Sequence, residues 1–225
     1  MTDFVIPAPR VVAIPVHGGG QFPVRRIFCV GQNYAEHARE MGGDPDRAPP
    51  FFFTKPADAV VTDGVMPYPP GTDNLHFEGE LVVAIGQGGR DIPAAQAQGH
   101  IWGYAVGLDM TRRDMQAQAK AAGRPWDMAK GFDASAPIGL LHRADRPLDR
   151  AALRLTVDGD TRQQGDLSDM IWPVADVIAH LSGLVTLAPG DLIFTGTPAG
   201  VGAVTQGQVI RVTIDGLTPL EIRIT

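Results

Sequence analysis

Glu78 and Glu80 stand two residues apart in "NLHFEGELVVAIG", residues 74 to 86, immediately before an apolar run. In an extended strand such residues point the same way, about 7 Å apart. A pair like this is ordinarily the wetted face of a half-exposed strand. Here Leu81, Val82, Val83, Ala84 and Ile85 follow, apolar at both parities, as in a strand covered on both sides. Two like charges about 4 Å apart repel by about 4 kcal/mol at an effective dielectric of about 20. Partly buried carboxylates this close therefore need a cation or a shared proton. Asp109, ending the apolar stretch in "GYAVGLDMTRRD", offers a third acid, although an acid before a helix also suits the helix dipole. Three carboxylates without a nearby Cys or His cluster make a hard-oxygen site. That set suits Mg2+ or Mn2+ rather than Zn2+, and Ca2+ stays open.

Other polar groups fall around these acids. His37 and Glu40 are three apart in a helix-forming stretch, so their side chains can meet on one face. A carboxylate that orients an imidazole makes a general base for water, although an exposed helical pair has the same spacing. The polar, glycine-rich "GGDPDRAPP" that follows reads as a lid, about residues 32–50 in all. Arg113 lies one helical turn after Asp109, with Gln116 a further turn along. Lys130 sits in a loop bounded by glycine and proline. Thr195 and Thr197, in "FTGTPAGVG", place hydroxyls and backbone N–H groups in a turn able to hold a carboxylate or simply to connect two strands.

These residues need elements to hold them. "RRIFCVGQNY" reads as a buried strand over Ile27–Val30, and "PPFFFTKP", "GELVVAIG" and "IWGYAVGLDM" as three more. Residues 111–123 read as the clearest helix, with Thr111 as cap and a glycine stop; a second covers about 173–184. Asp158-Gly159 marks a hairpin tip, and the last third is rich in strands. Frequent Gly and Pro, 27 and 19 of 225 residues, favour short strands and turns over long helices. The reading is an α+β fold with a sheet-built core, in one domain over 1–225 with an N-terminal arm of about 24 residues.

Several classes drop out. "VVAIGQGGRDIP" starts like a dinucleotide-binding turn, but Asp91 occupies the third glycine position and Pro93 follows. Cys29 lies inside an apolar strand, a poor place for a nucleophile, and as the single cysteine it forms no internal disulfide. A net charge of −6 argues against nucleic acid or an anionic membrane as partner. With no signal-peptide pattern and no apolar run of membrane length, the expected location is the cytoplasm.

Taken together, "CVGQNYAEHAREMG", "PFFFTKPADAV", "LHFEGELVVAIG", "GYAVGLDMTRRDMQ", "GRPWDMAKGFDASAPIG" and "GDLIFTGTPAGVG" resemble the fumarylacetoacetate hydrolase family, in the family's order, over about residues 26–204. "RPWDMAKGFDASAPIG" and "QQGDLSDMIWPV" most resemble its bacterial fumarylpyruvate hydrolases. The resemblance implies a mixed β-sandwich roll with a few short helices, acting as a homodimer. It implies a divalent metal on Glu78, Glu80 and Asp109, and a water-activating pair, His37 and Glu40, on a mobile lid. Lys130 and Arg113 match substrate-contacting positions, with Gln116 and Thr197 weaker matches. Phe77 and Gly79 depart from the pattern, standing where relatives often carry a second histidine and a bulky apolar residue. The implied reaction is hydrolysis of a 2,4-diketo acid, fumarylpyruvate foremost, to fumarate and pyruvate. Acylpyruvate hydrolysis, oxaloacetate decarboxylation and hydroxy-dienedioate isomerisation share the scaffold. Outside enzymes, a metal-stabilised binding module would also fit.

Overall fold

The computed structural model describes residues 4–40 and 49–225. Its frame is a six-stranded mixed sheet ordered His142–Arg143, Ile101–Leu108, Gly79–Ile85, Asp191–Phe194, Arg26–Gly31, Phe51–Lys55. All neighbours are antiparallel except Asp191–Phe194 with Arg26–Gly31, which run parallel. The run after Glu80 behaves as its composition demands. Leu81, Val83 and Ile85 enter one core, while Val82 and Ala84 enter another on the opposite face.

A five-stranded sheet covers the first face, in the order Asp160–Asp166, Ala152–Val157, Val209–Ile214, Leu220–Ile224, Val65–Met66. Its inward residues, such as Leu153, Leu155, Ile210, Val212 and Ile222, alternate with outward polar ones, so one face stays wet. The tip joining its first two strands is Asp158-Gly159, both at positive φ (50° and 93°), which suits a two-residue hairpin. The second face is closed partly by residues 13–23 of the expected arm. They form a hairpin of Ala13–Pro15 and Gln21–Pro23 that buries Ile14 and Phe22.

Among the described residues, four α-helices complete the frame: α1 (Ala35–Glu40), α2 (Arg113–Ala121), α3 (Asp127–Lys130) and α4 (Val174–Leu184). Helix α4 packs Val174, Val177, Ile178 and Leu181 into the first core, an i, i+3, i+4, i+7 stripe. The expected Thr111 cap is not formed. Thr111 pairs instead with His76 in a small sheet made by Thr111–Arg112, Leu75–Phe77 and Gly202–Val204, and α2 starts two residues later without a side-chain cap. Tertiary pairing overrides the local capping preference there. Gly88, rejected above as part of a nucleotide loop, has a packing role: a Cβ would lie 2.6 Å from the Leu187 carbonyl oxygen. Of the expected lid, residues 41–48 lie outside the described ones.

Candidate metal centre and its cavity

Glu78 is not inside a strand. It lies at the junction where the chain leaves Leu75–Phe77, in the small sheet, and enters Gly79–Ile85, in the six-stranded one. Gly79 pairs with Leu108 and Glu80 with Gly107, so one step beyond this register Asp109 falls opposite Glu78. The Asp109 N–H donates to the Glu78 carbonyl at 2.9 Å. Two distant sequence motifs are thus locked together through the backbone. The three carboxylates are buried, and one oxygen from each lies within 4.8 Å of the others.

Fixed cations surround two of the acids. Lys130 Nζ donates to Glu78 Oε2 at 2.8 Å and to Asp109 Oδ2 at 2.7 Å. Arg113 donates to Glu78 Oε1. Burial alone would keep Glu78 protonated, but Lys130, then Arg113 and His37, hold its carboxyl well below the usual range. In return, Asp109 and Glu78 outweigh the effect of burial on Lys130 and raise its pKa. Sequence reading missed Lys55, the inward end of the aromatic strand Phe51–Lys55. Its Nζ lies 2.8 Å from Asp109 Oδ1 but donates to the Met110 and Lys130 carbonyls. Asp109 Oδ1 therefore has an ion-pair neighbour but accepts no hydrogen bond. Local sequence carried no signal for it, since a lysine ending a short strand just before a proline is ordinarily solvated.

Glu80 is different. Among the described residues no cation pairs with it, and its Oε2 accepts only the Gly196 N–H, at 2.7 Å. Burial, then Asp109 and Glu78, push its carboxyl well above the usual range. A group of oxygen donors with one uncompensated acid and one buried oxygen that accepts no hydrogen bond fits a hard divalent cation. Gly196 is held at φ 97°, and a Cβ there would come within 2.7 Å of the Asn33 Cβ. Asn33 is itself fixed, donating to the Trp172 and Thr195 carbonyls and accepting the Trp172 N–H. Gly196→Ala is therefore expected to cost about 1–3 kcal/mol in stability. It should also weaken Mn2+ binding. Chemical denaturation and calorimetric Mn2+ titration check the two effects.

The same cavity is bordered by His37, Glu78, Glu80, Arg113, Gln116, Lys130 and Thr197. His37, buried in α1, has Nδ1 3.3 Å from Glu40 Oε2, which also accepts the Gly200 N–H at 3.3 Å. Gln116 accepts from Arg113. The hydroxyls of the turn are already engaged: Thr197 donates to the Gly79 carbonyl at 2.9 Å and accepts from Gln163, while Thr195 donates to the Leu81 carbonyl. They hold the turn to the sheet, the connecting role left open for it above. His76 was also overlooked. Burial and then Arg113 bring its pKa down to about 4, and its Nδ1 accepts from Arg113 Nε at 3.3 Å. It buttresses the guanidinium that grips Glu78.

The class defined so far is an α+β protein of mixed sheets with a buried acid group that can hold a metal beside a histidine–glutamate pair. The chain belongs to the fumarylacetoacetate hydrolase family: residues 26–225 match its description "Fumarylacetoacetate (FAA) hydrolase C-terminal". Among solved structures, it is similar to the fumarylpyruvate hydrolase from Pseudomonas aeruginosa in complex with Mn2+ and pyruvate. That similarity is 52% identity with a TM-score of 0.96, over 99% of each chain. It is 46% identical over 198 residues to a mitochondrial oxaloacetate tautomerase of Arabidopsis thaliana, covering 87% of this chain and 89% of that one. A mitochondrial oxaloacetate decarboxylase of Dictyostelium discoideum is 43% identical over 197 residues, 86% and 90% of the two chains. The protein is thus an enzyme of a family whose similar members include a hydrolase, a tautomerase and a decarboxylase. No helix among the described residues is long and apolar enough to cross a membrane.

Proposed function

We propose that this enzyme hydrolyses the carbon–carbon bond of a 2,4-diketo acid, fumarylpyruvate foremost, giving fumarate and pyruvate. One observation carries the reading: His37, held by Glu40, borders the same cavity as the buried Glu78 and Glu80. Similarity to a fumarylpyruvate hydrolase supports it. Glu78, Glu80 and Asp109 would hold the divalent ion, which supplies Lewis-acid neutralisation of charge developing on substrate oxygens.

The chain's own groups do the rest. Glu40 accepts from Nδ1 of His37 and so leaves Nε2 as the basic nitrogen. Nε2 takes a proton from water as the water oxygen bonds to C4 of the substrate, the distal ketone. The C3–C4 bond then breaks, and its electron pair passes to the pyruvate half as an enolate. C4 leaves as the new carboxyl of fumarate. Protonation of C3 by the imidazolium completes pyruvate. Lys130 and Arg113, positive and beside the acids, offset the charge of a dianionic substrate and its enolate.

Oxaloacetate chemistry is the second reading, favoured by the identities to the tautomerase and the decarboxylase. It needs no hydrolytic water. An absorbance assay with fumarylpyruvate, acetylpyruvate and oxaloacetate in Mg2+ and Mn2+ separates the two. The expected result is the highest kcat/KM on fumarylpyruvate. Turnover confined to oxaloacetate would replace the hydrolase reading with the second.

A further inference from the structure

A second recess adjoins the cavity over the acids, and Phe51, Phe53, Trp126 and Lys130 border both. Phe51 and Phe53 come from the edge strand of the six-stranded sheet, and Trp126 immediately precedes α3. The indole stands edge-on to both rings, with centroids 5.5 Å from Phe51 and 6.0 Å from Phe53. Flat aromatic walls suit a flat, conjugated chain better than a bulky, branched one.

Arg124 borders this second recess but not the first. The other cations close by are committed: Lys130, Arg113 and Lys55 each sit against a buried carboxylate. The exposed Arg124 side chain makes no hydrogen bond or ion pair among the described residues. Asp127 borders the recess as well, but it also faces the neighbouring groove that holds Arg25 and Arg26. A planar guanidinium with its donors free, at the far side of an aromatic passage, matches a carboxylate two-pronged.

We propose that this recess receives the acyl arm of the substrate and that Arg124 selects an acyl group ending in a carboxylate. The inference rests on the diketo-acid reading and deepens it, dividing the substrate between two compartments. The pyruvyl end lies over the acids and the reacting ketone comes next. The unsaturated arm passes Phe51, Phe53 and Trp126 to put its terminal carboxylate on Arg124. An acyl group without that carboxylate gains nothing from the arginine.

The test compares wild type, Arg124→Leu and Arg124→Lys on fumarylpyruvate and acetylpyruvate, all with Mn2+. Arg124→Leu is expected to lower the ratio of the two kcat/KM values by about tenfold to a hundredfold, the size of a lost charge-assisted contact. The loss should appear mainly in KM, and Arg124→Lys should recover part of it. An unchanged ratio, whether both activities fall together or neither does, overturns the proposal. Calorimetric titration with fumarate keeps this outcome distinct from failure of the hydrolase reading. If wild type turns over neither diketo acid, the hydrolase reading fails. The subsite then stands only if wild type binds fumarate at least tenfold more tightly than Arg124→Leu. Equal affinities, or no binding by wild type, overturn it.

Discussion

Replacing Glu80 with alanine is expected to abolish metal-dependent turnover, lowering kcat by at least about a thousandfold at saturating Mn2+. Glu78 and Asp109 each have a lysine or arginine against them, whereas among the described residues Glu80 has only a backbone N–H. Its carboxylate is therefore the part of the site whose charge an incoming cation would have to balance. Alanine also strands the Gly196 N–H in the interior, at about 1–3 kcal/mol, so some loss of stability accompanies the loss of activity. Glu80→Gln separates the two effects, because its amide oxygen still accepts from Gly196 while the charge is gone. Mn2+ is expected to raise the melting temperature of the wild type, and both variants should lose that rise. Full activity in Glu80→Ala would remove this residue from the ligand set.

His37→Ala should leave that Mn2+-dependent rise in place and reduce fumarylpyruvate hydrolysis by about a hundredfold to ten-thousandfold, the range for a lost general base. The imidazole is buried and held by Glu40, so its removal deletes an oriented proton acceptor rather than a solvated surface group. Oxaloacetate provides a useful comparison. Its decarboxylation uses no attacking water, so any such activity should fall much less than hydrolysis in the same variant. Loss of Mn2+ binding in His37→Ala would show that the histidine holds the metal, not the water.

Much of this centre could be read from residue types and spacing. The apolar run after Glu80 showed that both faces of the strand are covered, and the structure has a separate core on each. His37 and Glu40, placed on one helix face by their spacing, do meet. Long-range register was harder to read. Only the pairing of Gly79 with Leu108 sets Asp109 opposite Glu78, and local sequence does not encode which residues of two distant strands align. Thr111 misled for a related reason, since its capping preference yielded to pairing with His76. Lys55 escaped notice because a lone lysine is ordinarily solvated, and nothing local announces that this one points at Asp109. Family resemblance supplied what spacing could not: it grouped segments that sheet topology brings together.

Two of the three acids, Glu78 and Asp109, face three basic side chains, Lys55, Lys130 and Arg113, all rooted in the same polypeptide. Small zinc-binding domains lack such internal compensation and stay unfolded until their ion arrives. Here a newly made chain carries counter-charges for two of its three acids, so its sheets can form before the ion arrives. Folding and loading become separate events, so the ion in use reflects what the surroundings supply when the finished enzyme meets it. Exchange of one divalent ion for another can then proceed on the native protein.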